Sequence, residues 1–184
     1  MSFITDRDES DSAAGRSELV ENLEALRRIP IFRDIPLEMI KLYAYTARRQ
    51  AYRSDELVFR QGSPAREAFL ILSGTVRLWM ADPEGHQVDL QVLDPGGFFG
   101  YMALLAEYEW PLSAQAASPA ELLIVDRRSF RKILVRYPEK GFQIVERLVQ
   151  MRMARMKSHM SLLMRHIDGA SSLDELYRID ALSR

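Results

Sequence analysis

Chemistry in this chain would have to come from very few residues. There is no cysteine, which removes thiolate nucleophiles, thiolate metal sites and disulfides together. The three histidines, His86, His159 and His166, sit in no metal-ligand cluster with Asp or Glu at a recognisable spacing. His159 and His166 are seven residues apart on one helical stretch, two turns, too far to share an ion within one chain. Ser73, Ser113 and Ser118 lack a glycine elbow and an accompanying His/Asp order. No pair of carboxylates is set out for general acid and base work. An enzyme is not expected, nor is a bound metal or other cofactor.

The elements that would position any site follow from periodicity. Residues 2–16 are rich in Asp, Glu, Ser and Ala with almost nothing to bury, so they are expected to stay disordered or frayed. Leu19, Leu23 and Leu26 fall at helical spacing up to Pro30, and Ile35, Met39, Ile40, Tyr43 and Ala47 mark a second short helix. After Gln50 the period drops towards two. Residues 57–59, 68–72, 75–81, 88–93 and 121–125 read as short strands, separated by turn chemistry such as Ser73-Gly74 and Asp94-Pro95-Gly96-Gly97. Val88, Leu90 and Val92 alternate with Gln87, Asp89 and Gln91, which predicts a strand with one wet face. Helical spacing returns after Asp126 and again from about Glu139. The expected domains are a disordered segment 1–16, a sensor domain 17–137, a long helix 138–168 and a short helix or tail 169–184.

Glycine positions narrow the fold further. The string SDELVFRQGSPAREAFLILSGTVRLWM, followed by PEGHQVDLQVLDPGGFFGYMALL, resembles the cyclic-nucleotide-binding domain family of catabolite-activator-like regulators, kinase regulatory subunits and gated channels. Gly62, Gly74, Gly85, Gly96 and Gly100 match that family's turn glycines, and the likeness covers residues 26–148. The resemblance implies a mainly β fold with flanking helices: a β-roll of the jelly-roll type, followed by a long C-terminal helix.

The same resemblance implies a ligand site, a phosphate-binding cassette similar to FGELALL followed by PRAAT. Here the matching text is Phe98 and Phe99-Gly100-Tyr101-Met102-Ala103-Leu104-Leu105, then Pro111-Leu112-Ser113-Ala114-Gln115. In the family, backbone N–H groups beside the glycine cradle the phosphate, an Arg after the Pro neutralises it, and a Glu after the Gly accepts the ribose hydroxyl. Tyr101 occupies the Glu position and Leu112 the Arg position. Losing two charge-assisted hydrogen bonds, each worth about 1.5–3 kcal/mol, should weaken binding by roughly 10² to 10⁴-fold. No Lys, Arg or His lies between Gly96 and Ala120, while Glu107 and Glu109 add negative charge; a substitute cation would have to reach in from elsewhere, such as Arg66 or Arg77. Cyclic AMP is therefore not expected to bind. Phe98, Phe99, Tyr101, Trp110 and Leu112 make the cassette aromatic and apolar, suited to a neutral or aromatic effector or to filling the vacated site as core.

Along the long helix, Phe142, Val149, Met156 and Leu163 recur every seven residues, with Met153, Met160 and Ile167 four residues after each of the last three. That a/d seam of Val149, Met153, Met156, Met160, Leu163 and Ile167 predicts a homodimer. Lys plus Arg total 25 and Asp plus Glu 26, so no global field draws nucleic acid or an anionic membrane. The start lacks a basic n-region and an apolar h-region, and no apolar run approaches the roughly 18–20 residues of a spanning helix, which reads as cytoplasmic with no membrane partner. In the resembling regulators the long helix leads into a winged helix-turn-helix, and residues 169–184 are too few for one, so direct DNA binding is not expected. The expected function is a non-enzymatic regulatory or sensor domain acting through a protein partner or a non-nucleotide effector. Two rivals stand beside it: a relative of transcription regulators that reaches DNA through a partner, and a cyclic-nucleotide sensor with an altered site.

Overall fold

The computed structural model describes residues 5–82 and 84–166. Residues 1–148 form one compact unit and residues 149–184 another. The first unit opens with α1 (Thr5–Arg27), a 3₁₀ turn at Pro30–Phe32 and α2 (Leu37–Thr46). The helical backbone of α1 starts at Thr5, upstream of the boundary expected at Ser17. Pro36 stands immediately before α2, where its fixed φ and missing N–H cost nothing.

Eight strands follow: β1 (Arg48–Tyr52), β2 (Leu57–Phe59), β3 (Glu67–Ser73), β4 (Val76–Ala81), β5 (Gln87–Leu93), β6 (Phe98–Phe99), β7 (Ser113–Ala116) and β8 (Ala120–Asp126). They form two antiparallel four-stranded sheets, ordered β1-β8-β3-β6 and β2-β7-β4-β5. This is the mainly β roll with flanking helices that the sequence implies. β8 lies between two strands, and its run Leu122-Leu123-Ile124-Val125 is buried throughout. Leu122 and Ile124 join Phe69, Ile71, Val76, Leu78, Phe99 and Trp110 in the core of the roll. On the helical side Tyr43 packs between Phe32 and Phe130, at centroid distances of 5.2 and 5.3 Å. Burial pushes the Tyr43 phenol well above its ordinary pKa, and its hydroxyl has no partner among the described residues.

β5 departs from the expectation of one buried face. Val88, Leu90 and Val92 are each about half exposed, because β5 is the edge of its sheet, paired only with β4, and nothing among the described residues covers it. Gly74 shows why the turn glycines are glycine: at φ 74° an added Cβ would lie 2.2 Å from the Pro119 carbonyl oxygen.

α3 (Arg127–Arg136) and α4 (Pro138–His166) complete the chain order. Ile144 and Leu148 on the first turns of α4 are fully buried in the first unit, and Arg147 reaches the Ile31 and Arg33 carbonyls and Asp34. In the second unit Val149, Met153, Met156, Met160 and Met164 are exposed. Ile167, the Asp168-Gly169 helix end and the last short helix lie outside the described residues; of Leu163 only the helical backbone is described.

Asp126 caps α3, accepting from the Arg128 N–H at 2.8 Å and the Ser129 N–H at 3.3 Å. Burial acts to raise its pKa, but the hydrogen bonds from Ser129 and Arg128 and the Arg128 charge outweigh it and hold the carboxyl below its ordinary value. A depressed folded pKa contributes stability above the unfolded pKa, about 3.9 for Asp, and loses it as pH falls through the folded value. Asp126→Ala is expected to cost about 0.5–2 kcal/mol at neutral pH. Asp126→Asn should keep most of the cap while flattening the acid limb of stability; melts from pH 7 down to 3 check both, and an unchanged acid limb in the Asn variant would contradict the role assigned to the charge.

Candidate functional site

The cassette segment is built on a short strand that changes direction at a glycine. β6 pairs with β3 through Phe69↔Phe99 and Leu70↔Phe98, so its two side chains point to opposite faces. Gly100 then takes φ 71°, which opens the 3₁₀ turn Tyr101–Leu104, with the Ala103 N–H donating to the Gly100 carbonyl at 2.9 Å. An added Cβ at Gly100 would meet Trp110 Cη2 at 2.9 Å and the Glu67 carbonyl oxygen at 3.1 Å. Trp110, not open space, lies against the glycine.

Phe99 faces the roll. Its ring stacks on Phe69 at 5.2 Å and tilts against Phe59 at 6.2 Å, and Phe59 in turn lies flat on Trp110 at 3.9 Å and 11°. Tyr108 meets Trp110 edge-on at 5.7 Å. The strap carrying these rings is fixed by backbone pairing: the Gly62 N–H donates to the Trp110 carbonyl, the Trp110 N–H to the Ser63 carbonyl and the Ala65 N–H to the Tyr108 carbonyl. Beside it lies a cavity of about 370 Å³ reached by Val58, Phe59, Ser63, Arg66, Phe69 and Trp110.

Tyr101 goes the other way. It is 4% exposed and its ring stacks on Phe98 at 5.7 Å and 20°. Met102 is half-buried, Ala103 is fully buried, and Pro111 is exposed. Leu112 packs against the core of the roll. Ser113, fully buried, accepts from the Gln61 N–H at 3.0 Å. The segment expected to line a ligand site is thus brought together in space, and its aromatic members are buried on one another.

Of the two cations named as substitutes, Arg66 reaches the cavity beside the cassette strap, and Arg77 is engaged elsewhere. Arg77 is held by Asp89 at 2.9 Å, Gln115 at 2.6 Å and Gln87 at 3.2 Å. Arg66 is exposed and lines a groove beside α3. Besides Arg131 at the Leu104 carbonyl, a guanidinium approaches the turn from Arg127, which the sequence pattern did not single out. It donates to the Ala103 and Ala65 carbonyls and pairs with Glu107 at 3.0 Å. The Arg-Arg that opens α3 straight after a capping Asp was its only signal.

A second constellation also escaped the spacing argument. The β4–β5 turn brings ligand atoms of Asp82, Glu84 and His86 within 4.8 Å of one another. The turn itself accounts for much of this, since Asp82 accepts from the His86 N–H at 2.7 Å and meets His86 Nδ1 at 3.0 Å.

Comparison with known proteins agrees with this geometry. A family model described as the cyclic nucleotide-binding domain matches residues 49–137. The Cyclic AMP receptor protein of Thermus thermophilus is 33% identical over 109 residues, covering 59% of this chain, which spans 50% of that relative's length. A solved cyclic nucleotide-binding-like protein from Brucella abortus shares 31% identity, with a TM-score of 0.56, 62% of this chain covered and 97% of that one. A cyclic nucleotide-binding domain from Methylobacillus flagellatus, at 21% identity and TM-score 0.71 over 84% of this chain and 86% of the other, shares the fold. With the glycine-hinged cassette, the two-sheet roll and these matches together, the chain belongs to the cyclic-nucleotide-binding domain family.

Proposed function

We propose that this chain is a non-enzymatic regulatory domain whose cassette does not take up a cyclic nucleotide, and that it acts as a homodimer through a protein partner or a non-nucleotide effector. The observation that carries this reading is the fate of the two family ligand positions. Tyr101 is buried against Phe98 and Leu112 is packed on the roll core, so neither offers a charge or a free acceptor to an anion. Trp110 against Gly100 supports the same reading, because a phosphate near that glycine would have to displace a ring already stacked on Phe59. Arg127 does not compensate, since its donors are taken by two carbonyls and Glu107.

The dimer reading rests on α4. Val149, Met153, Met156 and Met160 are between 39% and 53% exposed and form one row with a seven-residue repeat, the spacing that lets a helix pack along a copy of itself. A second copy running parallel is the occupant that repeat fits. DNA is expected only through a partner, and no helix among the described residues is long and apolar enough to cross a membrane.

Calorimetric titration with cyclic AMP should show no binding by the parent protein. Tyr101→Glu with Leu112→Arg should restore the acceptor and the cation and produce measurable binding if the backbone cradle is intact, each replacement alone doing less. A double variant that melts lower and stays blind to nucleotide would mean the aromatic packing has closed the volume for good. Micromolar binding by the parent overturns the reading.

Sedimentation should find the parent dimeric at tens of micromolar, an order-of-magnitude working range. Met156→Glu with Met160→Glu places like charges across the seam and should give monomers. A monomeric parent at that concentration removes the dimer from the proposal and leaves the cassette untouched.

A further inference from the structure

We infer that the groove between the start of β3, the loop after Leu105 and α3 docks an acidic peptide segment of a protein partner, an inference that rests on the reading of this chain as a domain acting through such a partner. The groove encloses about 920 Å³. Its carboxylates are all engaged: Glu67 pairs with Arg48 at 2.9 Å, Glu107 with Arg127 at 3.0 Å, and Asp126 caps α3.

Its cations are not. α3 carries five basic residues and no acidic one. Arg127 and Arg131 spend their donors on the carbonyls of Ala103, Ala65, Leu104 and Leu105, and Arg136 lies over the Tyr137 ring at 5.7 Å. Arg66, Arg128 and Lys132 remain, exposed at the groove and without an ion pair among the described residues. Arg128 stands in the first turn of its helix, where the dipole opposes a cation and where Asp126 is already committed to the cap. Apart from its share in keeping Asp126 ionised, its charge has no carboxylate within salt-bridge distance among the described residues, and an incoming carboxylate would supply one.

The lining suits a peptide. Arg128 and Lys132 are four residues apart on one helix, and Arg66 lies beside the start of that helix, its carbonyl accepting from the Arg127 N–H at 2.9 Å. Tyr108, Pro64 and Val135, the last 80% exposed, also line the groove and suit a hydrophobic side chain flanked by Asp or Glu.

Short random peptides displayed on phage and selected against the full chain test this. Enriched peptides should be rich in Asp and Glu around one apolar residue, and their binding should weaken as salt rises. Arg66→Gln, Arg128→Gln and Lys132→Gln combined should weaken them by about tenfold or more without lowering the melting temperature, because all three side chains are exposed. Should the triple variant melt early, Lys132→Glu alone must still weaken binding. Failure to enrich any peptide, enrichment without acidic excess, or equal binding by the variants overturns the inference. A DNA oligonucleotide that competes for the groove as well as the peptides do overturns the peptide assignment. Cyclic AMP binding by the parent would defeat the cassette reading and leave the peptide result standing, and the converse holds too.

Discussion

Arg127 sits where three stretches of chain meet. From the first position of α3 its guanidinium, 12% exposed, donates to the Ala103 carbonyl in the cassette turn and to the Ala65 carbonyl before β3, and pairs with Glu107 in the loop that follows the turn. Its own backbone N–H donates to the Arg66 carbonyl at 2.9 Å. A charge this sheltered is tolerable only when every donor has a partner, and here the partners are carbonyls that would themselves be orphaned without it. The cassette turn, the entry to β3 and α3 are thus tied together at one side chain, which also lines the groove beside α3.

The inside of the roll shows the opposite economy. Phe59, Phe69, Phe99 and Trp110 pack on one another, so part of the volume beside the 370 Å³ cavity is taken by rings in mutual contact. Aromatic pairs of this kind are worth about 0.5–1.5 kcal/mol each beyond their burial.

The fold was legible because its punctuation is chemical. Gly62, Gly74, Gly85, Gly96 and Gly100 all adopt positive φ, and runs such as residues 57–59 and 68–72 carry the β-branched and aromatic residues that strands prefer. β1 and β7 were not legible: Arg48-Arg49-Gln50 is polar and Ser113-Ala114-Gln115-Ala116 is small, so both are strands only because neighbours pair with them. Alternation in β5 was visible, but a pattern within one strand cannot tell an edge from a centre. At the cassette, the identities of Tyr101 and Leu112 announced the missing charges. That Tyr101 would turn onto Phe98 while Trp110 settled on Phe59 was hidden, since both choices depend on partners in other strands and straps.

The near-neutral balance of the whole chain hides a segregation that matters for any partner. Net charge is −1, yet α1 holds seven acidic and three basic residues and α3 five basic and none acidic. In physiological salt an approaching surface senses charge only within about 8–10 Å, so it meets one helix at a time and not the average. Composition therefore excludes a polyanion that wraps the molecule while saying nothing against an acidic segment that touches one face. The carboxylates beside α3 are already bound to Arg48, Arg127 and the helix cap, which leaves Arg66, Arg128 and Lys132 without a carboxylate within salt-bridge distance among the described residues.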